Sequence, residues 1–357
     1  MTATVNVYQS TDASAPILTG SAGSLVALLD ACLVNGYGTK AGAGWTIAYT
    51  GTNQRVYKMS PTLGTGNSVF VDDSATVSGS TPEEAYLTGF EAPTGLGTGT
   101  GQFPTSAQCA LGIGAVTCRK SMTADTTPRS WTLVADPTCF YLFTVTGDYL
   151  NPFGPMAITF GDIFSFKSSD AYRTLLIGRN VQNNGNNAFE NFGGLPQNPG
   201  PWLLGGSSMA GHYMDRNWTG VGGSVPVSKF TLNFANNGGA VVNSGVGSSS
   251  SMYLNGNSQS SIGGGITTAG GLQMNYPNGP DGGLYLSPIW IGHNGSIRGY
   301  LKGLWAPLHN TPLNHHDTFA GTGNLAGKSF LAQNILGGTN NNCWTGQVMV
   351  ETSSTWS

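Results

Sequence analysis

The residues with the most chemistry to offer are few. Five histidines occur, and three crowd together in His309…His315-His316-Asp317. A metal site needs several such ligands converging on one point. Adjacent residues on a strand face opposite ways, so His315 and His316 would share a metal only from a loop, as Pro307 and Pro312 permit. Ordinary polar loop residues are the better reading, and no metal or cofactor is expected. Asp72-Asp73 ends an apolar run, and Asp281 sits in Pro280-Asp281-Gly282-Gly283. Either could offer oxygens to Ca²⁺, but neither has EF-hand spacing. An Asp that hydrogen-bonds its own turn backbone explains both. Asp148 and Asp162 are an open possibility for the paired carboxylates of a glycosidase. The Gly97–Gly101 run lacks the Lys-Ser/Thr of a phosphate loop and reads as a β connection. Arg119-Lys120 reads as a solvated basic pair. None of the five cysteines forms a C-x-x-C motif. Cys109 and Cys118 could meet across a hairpin, although buried free thiols are the default.

Aromatic residues carry a different kind of chemistry. Trp202, Tyr213, Trp218, Phe230, Phe234, Tyr253 and Tyr276 lie among Asn, Ser and Gly. A flat apolar ring stacks while amides supply directional hydrogen bonds, which suits saccharide or protein recognition. Trp202, Tyr213, Trp218 and Tyr253 are therefore the candidate receptor or ligand contacts. The competing reading is that such rings form a small core of their own.

The elements that must position these residues are mostly strands. Alternation marks residues 4–9, then 45–49 and 55–59 as a hairpin across Gly51-Thr52-Asn53, and then 67–73 and 86–91. Residues 130–135 and 139–145 flank the turn dipeptide Asp136-Pro137. Further strands are expected at 156–166, 171–178, 285–292, 298–308, 329–336 and 347–351. One helix is expected: Leu25, Leu28, Leu29, Cys32 and Leu33 recur at helical spacing, with Ser21 or Ser24 as cap and Asn35-Gly36 as stop. The predicted fold is mainly β, with short antiparallel strands in β-sandwich- or barrel-like modules, one N-terminal helix and a Gly/Asn/Ser-rich insertion. The expected division is an α+β module at 1–120, a β-sandwich-like module at 121–180 and 285–357, and a projecting inserted domain at 181–284.

Composition narrows the class. Of 357 residues 54 are Gly, and 9% are charged where an average chain carries ~25%. Residues 230–280 contain no charge at all. There is no Gly-X-Y period, no heptad and no apolar run long enough to span a membrane. Net charge is −3 with no basic patch, so no nucleic-acid partner is expected. A neutral surface gains little solubility from charge and suits burial in an assembly. The opening MTATVNVYQS has neither a basic flank nor an apolar h-region, so no secretory signal is expected and folding is expected in a reducing cytoplasm.

Two sets of residues carry a resemblance. The first comprises Ala48-Tyr49-Thr50-Gly51-Thr52-Asn53-x-Arg55-Val56-Tyr57, Phe70-Val71-Asp72-Asp73-Ser74, Phe103-Pro104, Lys120-Ser121, residues 131–136 and Phe140-Tyr141. The second is Arg298-Gly299-x-Leu301-x-Gly303-Leu304-x-Ala306-Pro307-Leu308 with Asn324-Leu325-Ala326-Gly327-Lys328. Over 40–180 and 285–335 the chain resembles structural virion proteins of tailed bacteriophages, of the tail, baseplate or fibre kind. That resemblance implies assembly rather than catalysis. The implied partners are other copies of the chain, as a trimer or ring, other virion proteins, and a host-surface saccharide or protein. A capsid decoration or head fibre is the alternative. A polysaccharide-binding or depolymerising protein is a weaker one, and a secreted adhesin weaker still.

Overall fold

The structure is a computed structural model. It describes residues 3–76, 81–108, 113–147, 155–180, 210–222, 225–226, 228–231, 241–242, 283–293, 296–307, 312–334 and 347–356. The strands, in chain order, begin with β1 (Asn6–Gln9), β2 (Thr46–Gly51), β3 (Gln54–Lys58), β4 (Ser68–Asp72), β5 (Glu84–Phe90), β6 (Ala92–Gly95) and β7 (Thr98–Thr100). Next come β8 (Val116–Arg119), β9 (Trp131–Asp136), β10 (Cys139–Val145), β11 (Pro155–Asp162), β12 (Phe164–Ser165), β13 (Thr174–Asn180), β14 (Ala210–Met214) and β15 (Val225–Pro226). The last are β16 (Ser228–Thr231), β17 (Val241–Val242), β18 (Leu286–His293), β19 (Ser296–Pro307), β20 (Thr318–Ala320), β21 (Ser329–Asn334) and β22 (Gln347–Glu351). The fold is thus mainly β, with antiparallel pairing and one N-terminal helix.

The first sheet runs β1-β9-β10-β11-β13-β8-β5-β4-β3-β2, with β14 and β15 added beside β13. It joins strands from both sides of residue 120, so that position is no boundary between sheets. The second sheet runs β17-β16-β18-β19-β22-β21-β20, and β12 pairs with β19. Residues 210–222 lie within the expected insertion, yet β14 is hydrogen-bonded into the first sheet along Leu175–Arg179 of β13. Residues 94–103 supply most of a hairpin, β6 with β7.

Alternation explains how one set of strands serves two cores. Leu133, Phe140, Leu142, Ile158, Phe160, Leu176 and Tyr213 point to one cluster, which also holds the helix residues Leu25, Leu28, Leu29 and Cys32. Their neighbours Val134, Tyr141, Phe143, Ala157, Leu175, Ile177 and Met214 point to the other. There they meet Ile289, Ile291, Leu301, Leu304, Leu331, Val348 and Val350 of the second sheet. A strand covered on both faces reads as a continuous apolar run, as CFYLFTV does at β10.

Helix α1 (Ser24–Leu29) continues as one π-helical stretch over Asp30–Asn35 and stops at Gly36. The expected serine cap does not form: the Ser24 hydroxyl donates to the carbonyls of Thr19 and Ser21. Gly23 holds the cap position at φ 85°, and a Cβ there would lie 2.3 Å from Asn53 Oδ1. The first free amide is met from another segment, where Asp73 Oδ2 accepts the Leu25 N–H at 2.8 Å. Asp73 Oδ1 takes the Lys120 ammonium, which also donates to the Ser21 carbonyl at 2.7 Å. Lys120 is therefore not solvated as its sequence context predicts. Both members of the pair are fully buried, and they bind the helix start to β4 and β8. Desolvation pushes Asp73 up to about 6 against the pull of Lys120. Asp72 keeps the turn role expected of it, accepting the Ser74 N–H at 3.0 Å.

Candidate functional site

A row of aromatic rings crosses three strands of the second sheet. In β19, Tyr300 stands opposite Trp290 of β18 and Phe164 of β12. Residues directly opposite share a face, so the three rings line up. Phe164 stacks on Tyr300 with centroids 4.7 Å apart, and Trp290 meets Tyr300 edge-on at 6.0 Å. Phe166, two residues along, packs against Trp290 and Tyr300 at 5.9 Å from each. On the opposite face Ile289, Ile291 and Leu301 enter the core. The row stays open to solvent: Phe164 is 44% exposed and Phe166 53%.

Close backbone approach makes the row possible. Ser165 pairs with Gly299 in register. A Cβ on Gly299 would sit 1.9 Å from the Phe164 carbonyl oxygen, so any side chain there would drive β12 away.

Beside the row opens a cleft of about 340 Å³ lined by Phe164, Ser165, Lys167, Asp170, Arg173 and Lys302, among others. Its walls are fixed by Arg298. The guanidinium donates from Nε to Asp170 Oδ2 and from one terminal nitrogen to Asp170 Oδ1, each at 3.0 Å. It also donates to the carbonyls of Tyr172 and Arg216. One side chain thereby holds β19, the 165–173 loop and the 215–221 turn together. Burial disfavours the charged Asp170, but hydrogen bonds from Ser165 and the Tyr172 N–H, together with Arg298, overcome this and lower its pKa.

The 215–221 turn displays Trp218. Asn217 Oδ1 accepts the N–H groups of Thr219 and Val221, both at 2.9 Å, and the Thr219 hydroxyl at 2.7 Å. Trp218 is left 51% exposed, and its carbonyl takes the Lys167 ammonium. Phe164, Phe166, Trp218, Val221 and Ile297 are thus large exposed hydrophobics on three segments tied to one another. Of these, Phe164 and Phe166 belong to the ring row, and Trp218 reaches the 165–173 loop through its carbonyl on Lys167.

The floor of the cleft is a buried polar network. Asp162 accepts the Thr65 N–H at 2.8 Å and pairs with Arg173 at 3.1 Å. Thr174 links it to Asn67, whose amide donates to Asp215 at 2.9 Å. Burial pushes Asp215 up to about 8, helped by the charges of Glu91 and Asp162. Asp136 pairs with Lys302 at 3.1 Å.

The residues expected from sequence fall in different places. Trp218 is exposed beside the cleft. Tyr213 is buried in the first core cluster, because β14 directs it under the sheet, and it cannot reach an external ligand there. Trp202 and Tyr253 lie outside the described residues, as do His309, Asp148, Asp281 and Cys109. Cys118 is a buried free thiol, pushed by burial up to about 12. The rings of His315 and His316 lie tilted against each other with centroids 3.6 Å apart. His315 accepts the Asn334 N–H, and His316 meets the Thr132 hydroxyl. Burial, with His316 beside it, lowers His315 to about 4. Among the described residues no group of three or more His, Cys, Asp or Glu could hold a metal.

Phe164, Phe166, Trp290, Tyr300 and Arg298 were not singled out by sequence as contacts. The one sequence signal is Phe164-Ser165-Phe166, where alternation puts two large rings on one side of a short strand. No known family model matches the chain, and no curated protein matches it.

Proposed function

We propose that the chain is a structural component of a tailed-bacteriophage particle, in the tail, baseplate or a fibre, and that it takes part in host attachment. The supporting observation is the partly exposed row of rings over β12, β18 and β19, with Trp218 exposed on the neighbouring 215–221 turn. A protein of such low charge that also displays these rings is suited to meeting a partner. The resemblance over 40–180 and 285–335 supplies the setting. On this reading the two sheets, which share a core cluster, form a β-sandwich-like body. Copies associate as a trimer or ring.

The role is non-catalytic. Asp162 and Asp170, the carboxylates lining the cleft, are committed to Arg173 and Arg298. Immunogold labelling of intact particles tests the placement. Label on tails is the expected result; label over heads would favour the capsid-decoration reading, and absence from particles would overturn both. A rise in reducing ends on incubation with host polysaccharide would overturn the non-catalytic role.

A further inference from the structure

We infer that the cleft between Phe164 and the 165–173 loop binds a saccharide carrying an anionic group. The inference deepens the attachment role proposed above and rests on it for its biological setting. Three observations carry it. The first is the ring: Phe164 lines the cleft while resting on Tyr300, so it is a braced apolar plate. The C–H face of a pyranose packs on such a plate.

The second is charge. Arg173 faces Asp162, Lys302 faces Asp136, and Asp170 is held by Arg298 from behind. Lys167 is different. Its ammonium touches only the Trp218 carbonyl and has no carboxylate partner among the described residues. It is exposed, whereas Asp162 and Asp170 are buried. An entering ligand therefore meets an excess of positive charge at the rim. A single uncompensated cation suits one carboxylate or phosphate on a sugar. A nucleic-acid backbone would need a stripe of them.

The third is rigidity. Arg298 fixes the 165–173 loop through Asp170 and the Tyr172 carbonyl before any ligand arrives, so little ordering entropy is lost on binding. Ser168 and Ser169 stand exposed on the same rim and offer hydroxyls to sugar hydroxyls. The volume of about 340 Å³ lies at the small end of the range for ligand sites and fits one or two sugar rings.

Calorimetric titration of the purified full chain tests this with a hexuronate oligosaccharide, its methyl ester, a hexose phosphate and an acidic peptide. The acidic saccharide should bind, and its ester should bind at least about tenfold more weakly. The hexose phosphate distinguishes a phosphate source of the anion from a carboxylate source. F164A should weaken binding by about tenfold or more. K167A should remove the preference of acid over ester, and K167R should retain it. Both positions are exposed, and unchanged circular dichroism would show that the variants fold. Equal affinity for acid and ester, binding only of the peptide, or indifference to both substitutions would overturn the inference. Saccharide binding by the purified chain together with label absent from tails would sink the placement and leave the cleft standing.

Discussion

Two buried ion pairs lie in different parts of this molecule, and the same chemistry has opposite consequences in them. Asp73–Lys120 lies at the start of helix α1, with both side chains fully buried. Asp170–Arg298 lies behind the cleft, with side chains 0% and 3% exposed. Asp73 is raised to about 6, whereas Asp170 is lowered. Both are opposed by burial. Asp170 receives a two-pronged guanidinium, a serine hydroxyl and a backbone N–H. Asp73 receives an ammonium, which is a point charge, and helix amides. An opposite charge does not by itself decide the protonation of a buried carboxylate; the balance between its desolvation and the donors it receives does. The roles differ as well. The first pair fastens a helix to a sheet, and the second fastens the 165–173 loop and the 215–221 turn to β19.

The comparison can be broken most severely at Lys120. K120M leaves Asp73 buried and unpaired, and should cost about 3–5 kcal/mol in denaturant unfolding. The double variant D73L/K120M should recover most of that loss. A cost below about 1 kcal/mol for K120M would show that the pair is not structural.

R298K keeps the charge and removes the fork. It should cost about 2 kcal/mol and loosen the cleft walls, read as a change in tryptophan fluorescence from Trp218 and Trp290. Retention of both stability and spectrum would mean that charge, not geometry, holds Asp170.

Acidity separates the regions next. A carboxyl raised in the folded state binds its proton more tightly there, so its stability contribution is full below the unfolded value and is lost as pH rises through the folded one. Asp73 should lose its contribution as pH rises towards about 6, and Asp215 as it rises towards about 8. Asp170 should behave in the opposite sense, losing its contribution as pH falls through the ordinary carboxylate range. Between about pH 5 and about pH 7, Asp215 should reduce stability by about 1.4 kcal/mol per pH unit. D215N should lack that slope in unfolding curves taken across the same range. Parallel slopes for the two proteins would sink the assignment.

The smallest effect on stability belongs to the exposed row. F164A should change unfolding by about 0.5 kcal/mol, because much of the ring is already in water. Its effect should instead fall on ligand binding. A cost above about 2 kcal/mol would make Phe164 part of a core rather than of a surface.

Local pattern made much of the architecture legible. The apolar spacing of Leu25, Leu28, Leu29, Cys32 and Leu33 marks the helix, and alternation around Gly51-Thr52-Asn53 marks the β2–β3 hairpin. Asp136-Pro137 marks the turn between β9 and β10. The site was much less legible. Trp218 was visible as an aromatic in a polar setting, but so was Tyr213, and no local signal says that β14 would bury one and a turn expose the other. Phe164, Trp290 and Tyr300 are 126 and 10 residues apart along the chain, and only the register of β12, β18 and β19 brings them level. Lys120 looked like half of a solvated pair because nothing near it in sequence discloses Asp73.

By itself, then, the sequence determined the β character, the N-terminal helix, several turn positions and the low charge. Each follows from residue type and short-range periodicity, which depend on contacts within a few positions. Strand order, the two-faced burial of β9–β11 and β13, the helix cap supplied by Asp73 and the cleft braced by Arg298 were decided only by the tertiary structure. Their energies come from groups far apart in the chain, where desolvation and donor geometry exist only after the sheets have met.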